Sequence, residues 1–246
     1  MEIFRCEICP LLGESAGAPV PPTIIPNSPL LIIGEAPGSQ EVAKGKPFVG
    51  PSGKLLRALV KEAGFKEEWM VSYGNAANCF PQRKDNATGK MGIRQPSRDE
   101  LGGCRGHLQK LFSTVGPQVV LLAGAVALST WRTDLSVSKN RGVAGRWWGR
   151  WTVIPTYHPS SVLRGQEENK HWIKTDIENA YLICTGMGPE AFRMERCVKC
   201  GDVATEWDDD LIAYCGRHWQ TWMRHWQKER KEWQKVRAKM LQPRML

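Results

Sequence analysis

Three polar residues each follow a short apolar run: Glu35 in Gly34-Glu35-Ala36-Pro37-Gly38, Asn75 after Gly74, and His158 in Tyr157-His158-Pro159. A carboxylate, an amide and an imidazole brought to one crevice supply a proton acceptor, a paired donor and acceptor, and a titratable ring. Seen alone, the histidine is structural and the asparagine a turn residue; three at one edge point to a site. Phe48 stands in Pro47-Phe48-Val49-Gly50, where core packing explains a bulky ring poorly. A flat ligand such as a nucleobase needs that kind of π-face to stack on.

The eight cysteines sort by spacing. Cys6 and Cys9 form a C-x2-C pair, Cys79 and Cys104 lie far downstream, and Cys197, Cys200, Cys215 and His218 form C-x2-C, a fourteen-residue gap and C-x2-H. In a cytosolic chain such thiols are metal ligands or spares more often than disulfides. The last group has the spacing of a small zinc ribbon or treble-clef-like site, and a segment that short gains its folding energy from a metal. Cys184 is left over in an amphipathic pattern with Ile177, Tyr181 and Leu182, which predicts a buried, inert thiol.

The elements that must position these residues can be read from periodicity. Leu30 to Ile33 predicts a strand buried on both faces, and Gly50-Pro51-Ser52-Gly53 opens a helix with Leu55, Leu56, Leu59 and Val60 inward. Amides at that helix start could face an anion. Met70 to Tyr73 predicts a second strand, and Ser97 starts a helix with Asp99 and Glu100 in its first turn and Cys104 within it. Gln118 to Ala123 is a third strand followed by a short helix from Ala125 to Trp131, and Trp151 to Pro155 is a fourth. Glu167 to Thr185 reads as a closing helix. Alternating strands and helices predict a three-layer α/β/α fold around a central parallel four-stranded sheet, whose strand ends carry Glu35, Asn75 and His158.

The net charge of +9 suits a polyanionic partner, although a solvated surface would carry it equally well. No apolar run reaches transmembrane length and no cationic, apolar leader follows Met1, so a soluble, unexported, cytoplasmic protein without membrane contact is expected. Leu11 to Ser28, rich in Pro, Gly and Ala, predicts an irregular connector.

Gly34-Glu35-Ala36-Pro37-Gly38, Lys46-Pro47-Phe48-Val49-Gly50 and His158-Pro159-Ser160-Ser161-Val162-Leu163-Arg164 together resemble the family 4 uracil-DNA glycosylases. The resemblance spans roughly Cys6 to Thr185 and stops beyond Gly186. It implies a glycosylase domain over residues 1–187 with a 4Fe-4S cluster on Cys6, Cys9, Cys79 and Cys104. Spacing alone leaves zinc open for those four thiols, because tetrathiolate sites serve both metals.

It further implies that Phe48 stacks on the flipped base, that Asn75 bonds the uracil edge and accepts cytosine poorly, and that Gly34 belongs to the same uracil pocket. His158 would bond the O2 on which charge develops, with Glu35 polarising a water and offsetting charge on the sugar. Glu41 would help to exclude the thymine methyl group. Leu163 and Arg164 would enter the minor groove, with Ser160 and Ser161 gripping phosphate. The family 1 enzymes carry an aspartate where this chain has Ala36, so a general-base duty does not transfer.

Two segments depart from the family pattern. Gln82 to Pro96 is long and basic, which fits a DNA-touching loop, and it lacks the histidine with which the covalent uracil-binding branch attacks the sugar. Residues 188–246 add a zinc module on Cys197, Cys200, Cys215 and His218, then a helix from His218 to Met240. That helix carries Trp219, Trp222, Trp226 and Trp233 among seven basic residues, Arg224 to Lys239. The tryptophans read as a packing stripe ahead of base stacking, and the basic face as phosphate contacts or the solvated face of a surface helix. The expected activity is hydrolytic removal of uracil from single- or double-stranded DNA by a monomeric, monofunctional enzyme. A glycosylase for another modified base, or a non-catalytic DNA-binding module on the same fold, are the alternatives.

Overall fold

Strand β1 (Leu30–Gly34) alternates its side chains between two cores, which is why its run is apolar throughout. Leu30 and Ile32 join Leu56, Leu59 and Ile177 on one face, while Leu31 and Ile33 join Leu108, Leu111 and Phe112 on the other. The computed structural model describes residues 9, 11, 17–84, 91–142, 145–147, 151–186, 206–207 and 213–214. The chain divides into two units, Met1–Phe192 and Arg193–Leu246.

In the first unit β1 is followed by α1 (Ser39–Lys44), α2 (Pro51–Glu62), a single turn α3 (Glu67–Met70) and β2 (Val71–Asn75). A hairpin of β3 (Gln82–Lys84) and β4 (Met91–Ile93) leads to α4 (Arg98–Val115), β5 (Val119–Ala123), α5 (Ala125–Ser129) and α6 (Val137–Asn140). Then come β6 (Gly145–Trp147), β7 (Trp151–Thr156), the turn α7 (Ser160–Leu163) and α8 (Glu168–Cys184). The sheet order is β2-β1-β5-β7-β6, with the first four strands parallel and β6 antiparallel to β7. Helices α2 and α8 cover one face and α4 the other.

The expected four-strand parallel sheet is present, with one addition and several shifted ends. The added edge strand β6 is three residues long, too short for periodicity to mark. Met70 belongs to the turn before β2, and the strand runs on through Gly74 to Asn75, which pairs in register with Gly34. The segment expected as a DNA-touching loop is stemmed by the β3–β4 hairpin. Cys184 is half-buried and not fully buried; burial nonetheless pushes its thiol up to about 12, so it stays protonated.

The connector is tied down along the outer edge of β2. Thr23 exchanges both backbone hydrogen bonds with Tyr73 at 2.8 and 2.9 Å, and the Ile25 amide donates to Ser72 Oγ at 2.9 Å. No helix among the described residues is long and apolar enough to cross a membrane. In the second unit the described residues are β8 (Glu206–Trp207) and β9 (Ala213–Tyr214), an antiparallel pair. Cys6, Cys197, Cys200, Cys215, His218 and the basic helix lie outside the described residues.

Candidate active site

The parallel strands deliver their carboxyl ends to one edge, and a crevice of about 780 Å³ opens there. Its walls include Glu35, Glu41, Phe48, Asn75, His158, Ser160, Ser161 and Arg164, so the candidates for base and DNA contact converge there, apart from Gly34 and Leu163. Ile93, Arg94 and Gln95, at and after the end of the hairpin, line it as well.

Gly34 is the pivot of the inner end. A Cβ there would lie 2.6 Å from Asn75 Oδ1 and 2.7 Å from Phe48 Cζ, so ring and amide meet over a residue that has no side chain. Phe48 itself has φ 55°, a left-handed backbone that costs a phenylalanine about 1–3 kcal/mol. Gly53, one turn into α2, lets that backbone approach, because a Cβ at 53 would run into the Phe48 main chain.

Glu41 explains how the Phe48 loop is held. Its carboxylate accepts the amides of Gly38, Val49 and Gly50 at 3.1, 3.0 and 2.6 Å. The residue expected to screen the base is thus also the organiser of two glycine turns. By contrast, the carboxylate of Glu35 and the amide of Asn75 make no hydrogen bond among the described residues, and both face the crevice. Burial raises the Glu35 carboxyl above the usual range, with the Arg164 guanidinium pulling it back part of the way.

His158 is held in one tautomer. The Ser160 backbone N–H donates to Nδ1 at 3.2 Å, and Ser160 Oγ lies 2.7 Å from the same nitrogen while accepting from Arg164 Nη1 at 2.8 Å. A backbone amide can only donate, so Nδ1 accepts and the ring proton sits on Nε2. Burial lowers the imidazole to about 4, the nearby Arg164 charge adding to it and Glu41 opposing. The ring is therefore a neutral donor at physiological pH.

The serines differ from expectation in their surroundings. Ser161 is buried, its hydroxyl donating to His158 O at 2.8 Å and accepting from Asn169 Nδ2 at 3.0 Å. Its hydroxyl proton is thus committed to the turn, although the residue also lines the crevice. Ser160 links Arg164 to the imidazole, whereas Leu163 is 55% exposed.

Two supports went unread in the sequence. Asp176, wholly buried on α8, accepts from Thr156 Oγ1 at 2.7 Å and from Arg141 at 2.6 and 3.2 Å, which anchors the end of β7 two residues before His158. Burial pushes its carboxyl up to about 6 against the pull of Arg141 and Thr156. Its sequence signal was an acid on the apolar stripe of Ile173, Ile177 and Ala180. In the crevice wall, Arg94 grips the buried Glu100, whose carboxylate also accepts the Ser97 amide at 2.6 Å to start α4. These bonds hold Glu100 below the ordinary carboxylate range, the Arg94 hydrogen bond first among them.

Cys9, Cys79 and Cys104 are buried in one small cluster with Leu11 and Ala77, and Ala36 and Leu101 pack against it. Three thiols from the amino-terminal segment, the loop after β2 and α4 thus converge, next to the residue that follows Glu35. No three Cys, His, Asp or Glu side chains among the described residues are arranged to hold a metal ion.

A family model described as the uracil DNA glycosylase superfamily matches residues 21–182, which takes in the whole crevice. A type-4 uracil-DNA glycosylase of Thermotoga maritima is 32% identical over 181 residues, 72% of this chain and 88% of that protein. The type-4 uracil-DNA glycosylase of Sulfurisphaera tokodaii is 29% identical over 170 residues, 66% of this chain and 73% of its own. That of Saccharolobus solfataricus is 31% identical over 170 residues, 66% of this chain and 74% of its own.

Proposed function

Since this chain belongs to the uracil DNA glycosylase superfamily, we propose that its crevice hydrolyses the N-glycosidic bond of uracil in DNA, which starts base excision repair. The observation that carries the proposal is the meeting of Phe48 and Asn75 over Gly34 at the end of the crevice that also holds Glu35 and His158. A duplex base cannot reach such a pocket without leaving the stack, so the nucleotide is flipped in. Phe48 stacks on it and the Asn75 amide pairs with its edge. His158 Nε2–H donates to O2 as negative charge grows there, and the Glu35 carboxylate polarises the attacking water and balances charge on the sugar. Leu163 holds the gap in the duplex, with Arg164 beside it on the phosphate path. DNA is the partner, the protein acts as a monomer, and its compartment is the cytoplasm.

The test is release of base from oligonucleotides carrying uracil or other modified pyrimidines, followed by alkali. Strand cleavage only after alkali, strongest with uracil, is the expected result; preference for another base would move the assignment to that base, and no release from any of them would leave a DNA-binding module. Asn75→Asp is expected to weaken discrimination, with uracil release falling and cytosine release appearing, because the new side chain lacks the amide donor. Unchanged uracil release with cytosine untouched would remove Asn75 as the edge reader.

For the thiols we propose a 4Fe-4S cluster on Cys6, Cys9, Cys79 and Cys104. What supports it is the donor set, three buried sulfurs in one apolar nest, and not a ligand geometry already formed among the described residues. When bound, the cluster is a structural tie between the amino-terminal segment, the loop after β2 and α4. Brown protein with stoichiometric iron and sulfide is expected, and Cys104→Ser should bleach it and lower the melting temperature. Colourless wild-type protein holding zinc in both sites would overturn this assignment. Residues 188–246 are proposed as a separate zinc module on Cys197, Cys200, Cys215 and His218, the β8–β9 pair lying between its two ligand pairs. Its basic helix adds phosphate contacts to those of the glycosylase domain, residues 1–187.

A further inference from the structure

The Phe48 ring is aimed by a backbone conformation that phenylalanine does not adopt unaided, so something must hold it. Glu41 grips the amides that follow the ring residue, those of Val49 and Gly50. The carbonyls on the other side are gripped by Arg57 from α2: Nε donates to Phe48 O at 3.0 Å and Nη2 to Pro47 O at 3.3 Å. Arg57 does not line the crevice.

The guanidinium is itself braced. Nη1 donates to Glu67 Oε2 at 2.7 Å, Glu67 Oε1 accepts from the Tyr73 hydroxyl at 2.9 Å, and the Arg57 Cζ lies 4.0 Å from the centre of the Tyr73 ring. That same Tyr73 ring packs on Phe48, centroids 5.6 Å apart and planes tilted by 52°. Burial, then the Glu67 charge, keeps the tyrosine hydroxyl protonated far above its ordinary range, so it remains a donor to Glu67. One support therefore fixes both the carbonyl and the ring of Phe48.

We propose that Arg57, braced by Glu67 and Tyr73, is a positioning residue for base recognition: it clamps the Pro47 and Phe48 carbonyls and so keeps the stacking ring aimed into the crevice. The proposal rests on the assignment of the crevice to uracil. Its physical content is preorganisation, since a ring left to choose its backbone state must be ordered each time a base enters. Arg57 is suited to this because its planar fork spans two carbonyls and a carboxylate at once, which a lysine cannot do.

The test uses the full chain and four measurements: kcat and KM on a single-stranded uracil oligonucleotide, inhibition by free uracil, thermal melting, and the ring signals of isotope-labelled phenylalanines by NMR. Arg57→Met is expected to weaken inhibition by uracil and to lower kcat by about tenfold each, equivalent to about 1.4 kcal/mol. KM for DNA should stay within about twofold, because phosphate contacts precede base capture. The Phe48 ring signals should shift, and Arg57→Lys should recover part of the loss. Glu67→Gln keeps the arginine but loosens it, and should move every readout the same way by a smaller factor.

A variant that melts lower yet keeps wild-type uracil inhibition, kcat and Phe48 signals would show that the brace is only structural. Should Arg57→Met fail to fold, unchanged values for Glu67→Gln would show the same. A wild-type enzyme that releases no uracil refutes the function and not the brace, which the Phe48 signals then decide between the variants and the wild type.

Discussion

Replacing His158 by alanine is expected to lower uracil release by about 10²–10³-fold while DNA binding stays near the wild-type value. The size follows from the role proposed for the ring: a neutral Nε2–H held in place by Ser160 would meet charge that exists only as the bond breaks, so its loss should appear in kcat and hardly in the ground state. Parallel losses of binding and rate would instead assign the ring to DNA contact. The single-turnover rate on a uracil oligonucleotide, set beside affinity for a uracil-free strand of the same sequence, separates the two.

Glu35→Gln is expected to cost about 10²-fold or more, the range of a positioned carboxylate that handles a water, and to change the shape of the pH profile. As pH falls, Glu35 protonates at a value above the ordinary 4.5, because burial disfavours its charge. His158 stays neutral down to about 4. The acid limb of kcat/KM therefore belongs to Glu35: it should persist in His158→Ala and vanish in Glu35→Gln. A wild-type limb centred near 6.5 that disappears with the histidine would reverse the roles.

What sequence can show and what it cannot divide along a physical line. Runs buried on both faces, such as Leu30–Ile33 and Val119–Ala123, leave no polar residue to confuse the pattern, so the parallel sheet and its carboxyl edge are legible. The Ser97 and Glu100 pair likewise announces a helix start, because a capping box is local. Long-range polar contacts leave fainter marks. Nothing near Arg57 in the chain says that its partners are Pro47, Phe48 and Glu67, and nothing near Thr156 names Asp176. Its place in a motif assigns Ser161 to phosphate, whereas its burial depends on Asn169, a residue of α8 with no motif of its own.

The bridge between Thr23 and Tyr73 covers a border of the sheet. Strand β2 is the outermost parallel strand, and the row of amides and carbonyls turned away from β1 is the kind of border at which sheets of separate molecules stick together. The connector lies along that border and occupies it at its middle residue, with Ile25 bonded to Ser72 alongside. A stretch with no part in the crevice thus closes that border at its middle. Trimming the amino terminus back to the first strand would remove a cysteine pair and, with it, the hem of the sheet.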